Sequence, residues 1–174
     1  QGHPVLGKPP GIDMTTGSLG HGLAVGTGMA LAGRMRGLDY HVFVLMGDGE
    51  LNEGLVWEAA QTAAHQRVGR LIAFVDANGY QSGGPVKDVS GMAGIAARFA
   101  AFGWHTQEID GHDTAAILAA VEAAKGDERP SVIVARTVKG KGVPFMEGDN
   151  SWHKRVPTKE ELERAIGCLE AANG

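Results

Sequence analysis

At 174 residues, with 27 glycines and one cysteine, the chain has the size of one domain with a substantial core, and Cys168 has no second thiol for an internal disulfide. A formal net charge of −4 excludes the basic footprint of a nucleic-acid binder or an anionic-membrane binder. No apolar run reaches the length of a membrane span, and the start QGHPVLGKPP lacks the charged and apolar regions of a signal peptide, so the expected compartment is the cytoplasm.

In chain order, a glycine-punctuated stretch from Gly11 to Gly22 leads into a helix predicted over Leu19 to Arg36. A loop that feeds backbone N–H groups toward a helix start can hold phosphate oxygens; it also reads as an ordinary loop before a buried helix. Neither the GxGxxG pattern nor a P-loop is present. The run Val42 to Met46 predicts a strand that ends in Gly47, Asp48 and Gly49. A helix over Glu53 to Arg67 follows, and its mixed apolar face (Leu55, Ala59, Thr62 with Ala63, Gln66) suits a helix partly covered by a partner. The run Leu71 to Val75 predicts a second strand, ending in Asp76, Ala77 and Asn78. Helices over Met92 to Phe102 and Thr114 to Lys125 alternate with strands over His105 to Ile109 and Val132 to Thr137, and Asp113 is the expected cap of the second helix. Residues 139–153 read as a long polar loop, and Lys159 to Ala172 as a closing helix. This alternation predicts an α/β fold: a doubly wound parallel sheet with helices on both faces. No repeat, charge block or linker divides the chain, so residues 1–174 are expected to form one domain.

The two acidic or amide-bearing strand ends carry the chemistry. Glycine at positions 47 and 49 lets the backbone turn tightly and approach a ligand, which fixes Asp48 at a strand tip. Asn78 offers an amide oxygen at a second tip, and in a parallel sheet both tips lie at the ligand-binding edge. A hard cation such as Mg²⁺ takes oxygen ligands and is commonly held by one or two side chains plus phosphate oxygens. Taken singly, Asp48 and Asn78 also read as plain turn formers or caps. The joint pattern points to a ligand.

That pattern, Gly-Asp-Gly followed after residues 50–77 by Asn78, resembles the motif of thiamine diphosphate enzymes. The flanks extend the likeness: GIDMTTGSLGHGL at Gly11 to Leu23, EGLVWEAA at Glu53 to Ala60, FGW at Phe102 to Trp104, DGHD at Asp110 to Asp113 and KGKG at Lys139 to Gly142. Together they resemble the N-terminal subunit of a split, two-component transketolase, over essentially the whole chain. The resemblance implies thiamine diphosphate with Mg²⁺ (or Ca²⁺ or Mn²⁺), the metal held by Asp48, Asn78 and the Tyr80 carbonyl. Gly47, Gly49 and Glu50 then lie beside the cofactor, as do Gly17, with a carbonyl for the pyrimidine amino group, and Leu19. His3, in the Gly-His-Pro segment, is implied in substrate contact or proton transfer, and His153 near diphosphate and substrate. Glu53 and Glu58 match interface glutamates that couple paired active sites.

The same resemblance implies a reaction and an assembly. A two-carbon ketol unit would pass from a ketose phosphate to an aldose. The glutamate that activates the pyrimidine ring comes from another domain in this class, so Glu50, Glu53 and Glu58 are not assigned that role. A separate pyrimidine-binding subunit is expected, in an α₂β₂ heterotetramer. Relatives also carry sequence before the Gly-His-Pro segment, so Gln1 reads as a start within the domain, with an N-terminal part lacking. Two departures stand out: Gly79 replaces a second asparagine, and Ser82-Gly83 an apolar-acidic pair. The latter keeps open transfer to a lipoyl or carrier-protein thiol; a non-catalytic assembly subunit is the third reading, which Asp48 and Asn78 disfavour.

Overall fold

The computed structural model describes residues 2–172; Gln1 lies outside them. Helix α1 (His21–Met35) is followed by strand β1 (Val42–Gly47), a 3₁₀ turn over Gly49–Asn52, helix α2 (Gly54–His65) and strand β2 (Leu71–Ala77). Next come a small ribbon of β3 (Tyr80–Gln81) and β4 (Gly84–Pro85), the one-turn helix α3 (Val86–Val89) and helix α4 (Ile95–Ala101). Strand β5 (His105–Asp110), helix α5 (Thr114–Lys125), strand β6 (Ser131–Arg136), a second 3₁₀ turn (Asn150–His153) and helix α6 (Lys159–Ala172) complete the chain.

Four strands form one sheet in the order β1-β2-β6-β5, every pairing parallel. After β2 the chain passes to the edge strand β5 and returns through α5 to insert β6 in the middle. β6 is buried from Ser131 to Ala135 without alternation, as a central strand with both faces covered must be. Edge strand β1 alternates, with Val42, Val44 and Met46 buried and Phe43 and Leu45 exposed.

Helices cover both faces, as the alternation predicts. On one face Leu23 and Ala30 of α1, Val56, Ala60 and Ala63 of α2, and Phe99 of α4 pack with Val44, Leu71, Val75 and Val132. On the other, Ala120 and Ala124 of α5 pack on Ile72 and Ile133. The close approach of α1 requires Gly26, where a Cβ would stand 2.5 Å from a Val44 methyl. Trp57, Phe99 and Trp104 join α2 to α4, with ring centroids 5.2 and 5.1 Å apart and the Trp104 indole N–H donating to the Ala60 carbonyl at 2.8 Å. Such aromatic pairs add about 0.5–1.5 kcal/mol each beyond their buried area.

Several boundaries differ from expectation. α1 begins at His21 because Gly20 has φ +81°, a left-handed conformation that cannot continue a right-handed helix. The buried stripe of α2 is Val56, Ala59, Ala60 and Ala63; Thr62 and Gln66 are exposed. The ribbon accounts for both departures from the family pattern. Gly79 has φ +79°, which glycine adopts without strain, and Ser82-Gly83 is the two-residue turn joining β3 to β4.

Candidate functional site

Asp48 and Asn78 follow the C-terminal ends of adjacent parallel strands, with Gly47 in register with Asp76. The tips are tied together directly. The Asp48 amide donates to the Asp76 carbonyl at 3.1 Å, and the Gly79 amide donates back to Asp48 Oδ2 at 2.7 Å. Asp48 Oδ1 accepts from the Gly49 amide at 2.8 Å, so two backbone bonds fix a side chain that is only 4 % exposed. Burial pushes this carboxyl above its ordinary value, with nearby Asp76 pushing the same way, against the lowering effect of the Gly79 and Gly49 amides. A buried carboxylate with its charge left uncompensated is a favourable place for a cation.

Asn78 is oriented from both ends. Its Oδ1 accepts from the Tyr80 amide at 2.9 Å, and its Nδ2 donates to Asp76 Oδ2 at 3.0 Å. The Thr137 hydroxyl, just past β6, donates to the other Asp76 oxygen. Asp76 therefore sets the rotamer of Asn78, a role that the residue pattern alone does not assign. Strand pairing brings Thr137 to it, and only the reach of Asp76 to Asn78 two residues on is visible in the sequence.

Gln81 joins this cluster to the loop of residues 139–153. The Asn52 amide donates to Gln81 Oε1 at 2.8 Å, and Asn150 Nδ2 to the Gln81 carbonyl at 3.1 Å. A Cβ at position 49 would stand 2.5 Å from the Gln81 Cβ, so the second glycine of Gly-Asp-Gly makes room for the ribbon. The loop is not structureless. Gly148 donates back to the Lys139 carbonyl at 2.9 Å, Trp152 packs edge-on against Phe145, and Arg155 lies over the Trp152 ring.

His153 occupies the 3₁₀ turn of that loop, with Lys139 Nζ 3.3 Å from its Nδ1. The residue is exposed overall, but partial desolvation of the ring, then the charges of Lys139 and Lys154, hold the imidazole below its ordinary value, which favours the neutral form at pH 7. In Lys139→Met, the His153 titration followed by NMR is expected to move upward in pH, because a like charge is removed. An unchanged midpoint would show that Lys139 does not act on the ring.

On the other flank the exposed His3 ring packs against Gly17, and the Thr16 amide donates to the Pro4 carbonyl at 3.2 Å. Leu19 is 60 % exposed. Glu50 spans the space between this flank and the strand tips: Oε1 accepts from the Gly20 amide at 2.8 Å and Oε2 from the Gly47 amide at 3.2 Å. Glu53 and Glu58 are exposed, at the start and in the body of α2. The structure thus brings Gly47, Asp48, Gly49, Glu50, Asn78 and Tyr80 into one cluster at the sheet edge, with Gly17 and His3 along one side and the loop bearing His153 along another. His112 has a structural role, accepting from the Val138 amide at 2.8 Å.

The chain resembles several known proteins. It is 40% identical over 166 residues to an apulose-4-phosphate transketolase subunit of Phocaeicola vulgatus, covering 95% of this chain and 59% of that protein. It is 43% identical over 169 residues to a 6-deoxy-6-sulfo-D-fructose transketolase subunit of Clostridium sp., covering 97% of this chain and 62% of that protein. The chain therefore spans about three-fifths of the length of these curated relatives. Its fold matches the crystal structure of a transketolase from Campylobacter jejuni with a TM-score of 0.86 at 30% identity, over 92% of this chain and 26% of that one. The family model for the transketolase thiamine diphosphate binding domain matches residues 1–166, and with it the chain belongs to the transketolase family, in the part that binds thiamine diphosphate.

Proposed function

We propose that this chain is the diphosphate-binding subunit of a two-chain, thiamine diphosphate- and Mg²⁺-dependent transketolase, active in the cytoplasm as an α₂β₂ heterotetramer with a pyrimidine-binding subunit. The observation that carries the reading is the buried Asp48 carboxylate locked beside Asn78 and Tyr80 at the ends of β1 and β2. The donor set of carboxylate, amide oxygen and Tyr80 carbonyl is all oxygen, which suits Mg²⁺ better than a soft metal. It leaves room for diphosphate oxygens and water to complete the shell.

When bound, thiamine diphosphate supplies the nucleophilic carbon needed to break a carbon–carbon bond beside a ketose carbonyl. The chain's own part is positioning and proton management. Asp48 and Asn78 hold the metal, Asp76 orients Asn78, and Gly17 and Leu19 lie against the cofactor. His153, its neutral form favoured at pH 7, can donate or accept a hydrogen bond at the substrate without a preceding proton loss, and His3 offers a second imidazole. Glu53 and Glu58, exposed on α2, face the partner subunit. The donors in the names of the two relatives are both ketose derivatives with an anionic group, one a phosphate and one a sulfonate. A ketose phosphate donor and an aldose acceptor are the class assigned to this chain.

The test is a transfer assay on the chain mixed with its partner subunit, thiamine diphosphate and Mg²⁺. A panel of phosphorylated and sulfonated ketoses is offered with aldose acceptors or with a lipoyl acceptor. A ketose two carbons longer than the aldose is the expected product. Turnover only with the oxidised lipoyl disulfide, whose S–S bond breaks as the two-carbon unit bonds to sulfur, would replace the acceptor class, and absence of transfer to either would leave an assembly role.

A further inference from the structure

The family resemblance assigns Glu50 to contact with the cofactor, yet both of its oxygens are engaged elsewhere. Oε1 takes the amide of Gly20, thirty positions earlier in the chain, and Oε2 the amide of Gly47. Gly20 is the residue that caps α1, and no side chain of its own segment caps that helix. A carboxylate at this end also favours the helix dipole. Gly20 is buried with φ +81°, and a Cβ there would stand 2.6 Å from the Glu53 Cβ, so the start of α1 is pressed against the start of α2 with nothing between them. In that contact Glu50 is the side chain that hydrogen-bonds to both loops.

We infer that Glu50 is a positioning residue, a carboxylate clamp that fixes the loop of residues 17–20 relative to the Gly47–Gly49 turn. This rests on the reading of both loops as cofactor contacts. The metal cradle has its own supports, since Asp48 is held by Gly49 and Gly79, and Asn52 donates to the Gly49 carbonyl at 2.9 Å. The loop of residues 17–20 keeps its own turn, in which the His21 amide donates to the Ser18 carbonyl at 3.3 Å, so loss of Glu50 leaves each loop formed and frees one to shift against the other. A ligand that touches only the metal cradle should not register that shift. A ligand that spans both loops should.

The experiment compares wild-type, Glu50→Gln and Glu50→Ala, each in complex with the partner subunit and Mg²⁺, by calorimetry with thiamine diphosphate and separately with inorganic pyrophosphate. Peptide-level hydrogen exchange over residues 17–23 and 45–50 is followed alongside. In Glu50→Ala, thiamine diphosphate should bind about 10- to 100-fold more weakly, the range typical of outer-shell partners. Pyrophosphate affinity should be unchanged, and both peptides should exchange faster while the β2 and β6 peptides do not. Glu50→Gln keeps one acceptor oxygen and should fall between. Equal weakening for both ligands, or no change in exchange at residues 17–23, would overturn the clamp. If the wild-type complex binds no thiamine diphosphate, the functional reading fails and the inference with it; if Glu50→Ala binds as tightly as wild type, the inference fails alone.

Discussion

Asp48→Ala is expected to weaken Mg²⁺-dependent binding of thiamine diphosphate by about 100-fold or more, because it deletes a metal ligand where outer-shell losses alone reach 10- to 100-fold. The side chain is buried with its two oxygens aimed by the Gly49 and Gly79 amides, and the nearby Asp76 carboxylate is already engaged by Asn78 and Thr137. Protons should compete with the cation at the same place. The folded carboxyl sits above its ordinary value of 3.8, chiefly through burial, so between 3.8 and the raised value the cation-free folded state binds more protons than the unfolded state. In that window its stability falls as pH rises, and the penalty persists at neutral pH until a cation neutralises it. Metal affinity has the opposite trend. It should fall as pH drops through the raised value, beginning above the range of an ordinary aspartate, and calorimetry across pH checks this. Retained affinity in Asp48→Ala would remove the metal from this site.

The second large effect is dependence on the partner: transfer activity should be undetectable for this chain alone and should rise to saturation as partner subunit is added. The physical reason is the openness of the cluster. His3, His153, Glu53 and Glu58 are exposed, and beside them Leu19 and Met14 are 60 % and 43 % exposed. A site that must exclude water and hold a cofactor by both ends needs a second surface over these groups. Titrating the partner against a fixed amount of chain, with the transfer rate as readout, measures the dependence. Full activity without partner would refute the two-chain assignment. Addition of thiamine diphosphate and Mg²⁺ should also raise the melting temperature of the mixture more than that of either chain, as expected for a ligand bound across both.

Sequence and structure agree most closely where local signals are strong. α5 runs from Thr114 to Lys125 as expected, and Asp113 accepts from the Ala115 and Ala116 amides as a cap should. The β-branched run of β6 and the apolar run of β2 are likewise legible, because a buried parallel strand needs an unbroken apolar stretch, and β1 is legible from an equally apolar run although Phe43 and Leu45 stay exposed on its edge. The ribbon of β3 and β4 is not, since two residues per strand carry no periodicity. Helix α1 starts at His21 rather than near Leu19, because Gly20 has a left-handed backbone that cannot continue a right-handed helix, and the close packing of its α-carbon against Glu53 appears only in the folded chain.

By itself the sequence determined the α/β alternation, the two strand tips with Asp48 and Asn78, and the family to which their spacing belongs. Those properties depend on residue types and on short separations along the chain. Only the tertiary structure decided the strand order β1-β2-β6-β5, the orienting of Asn78 by Asp76 and Thr137, the joining of the ribbon to the His153 loop through Gln81 and Asn150, and the clamp of Glu50 on Gly20 and Gly47. Each of these except the short Asp76–Asn78 and Glu50–Gly47 bonds links groups far apart in the chain, and a hydrogen bond between distant residues exists only once the sheet and its crossovers have brought donor and acceptor within about 3 Å.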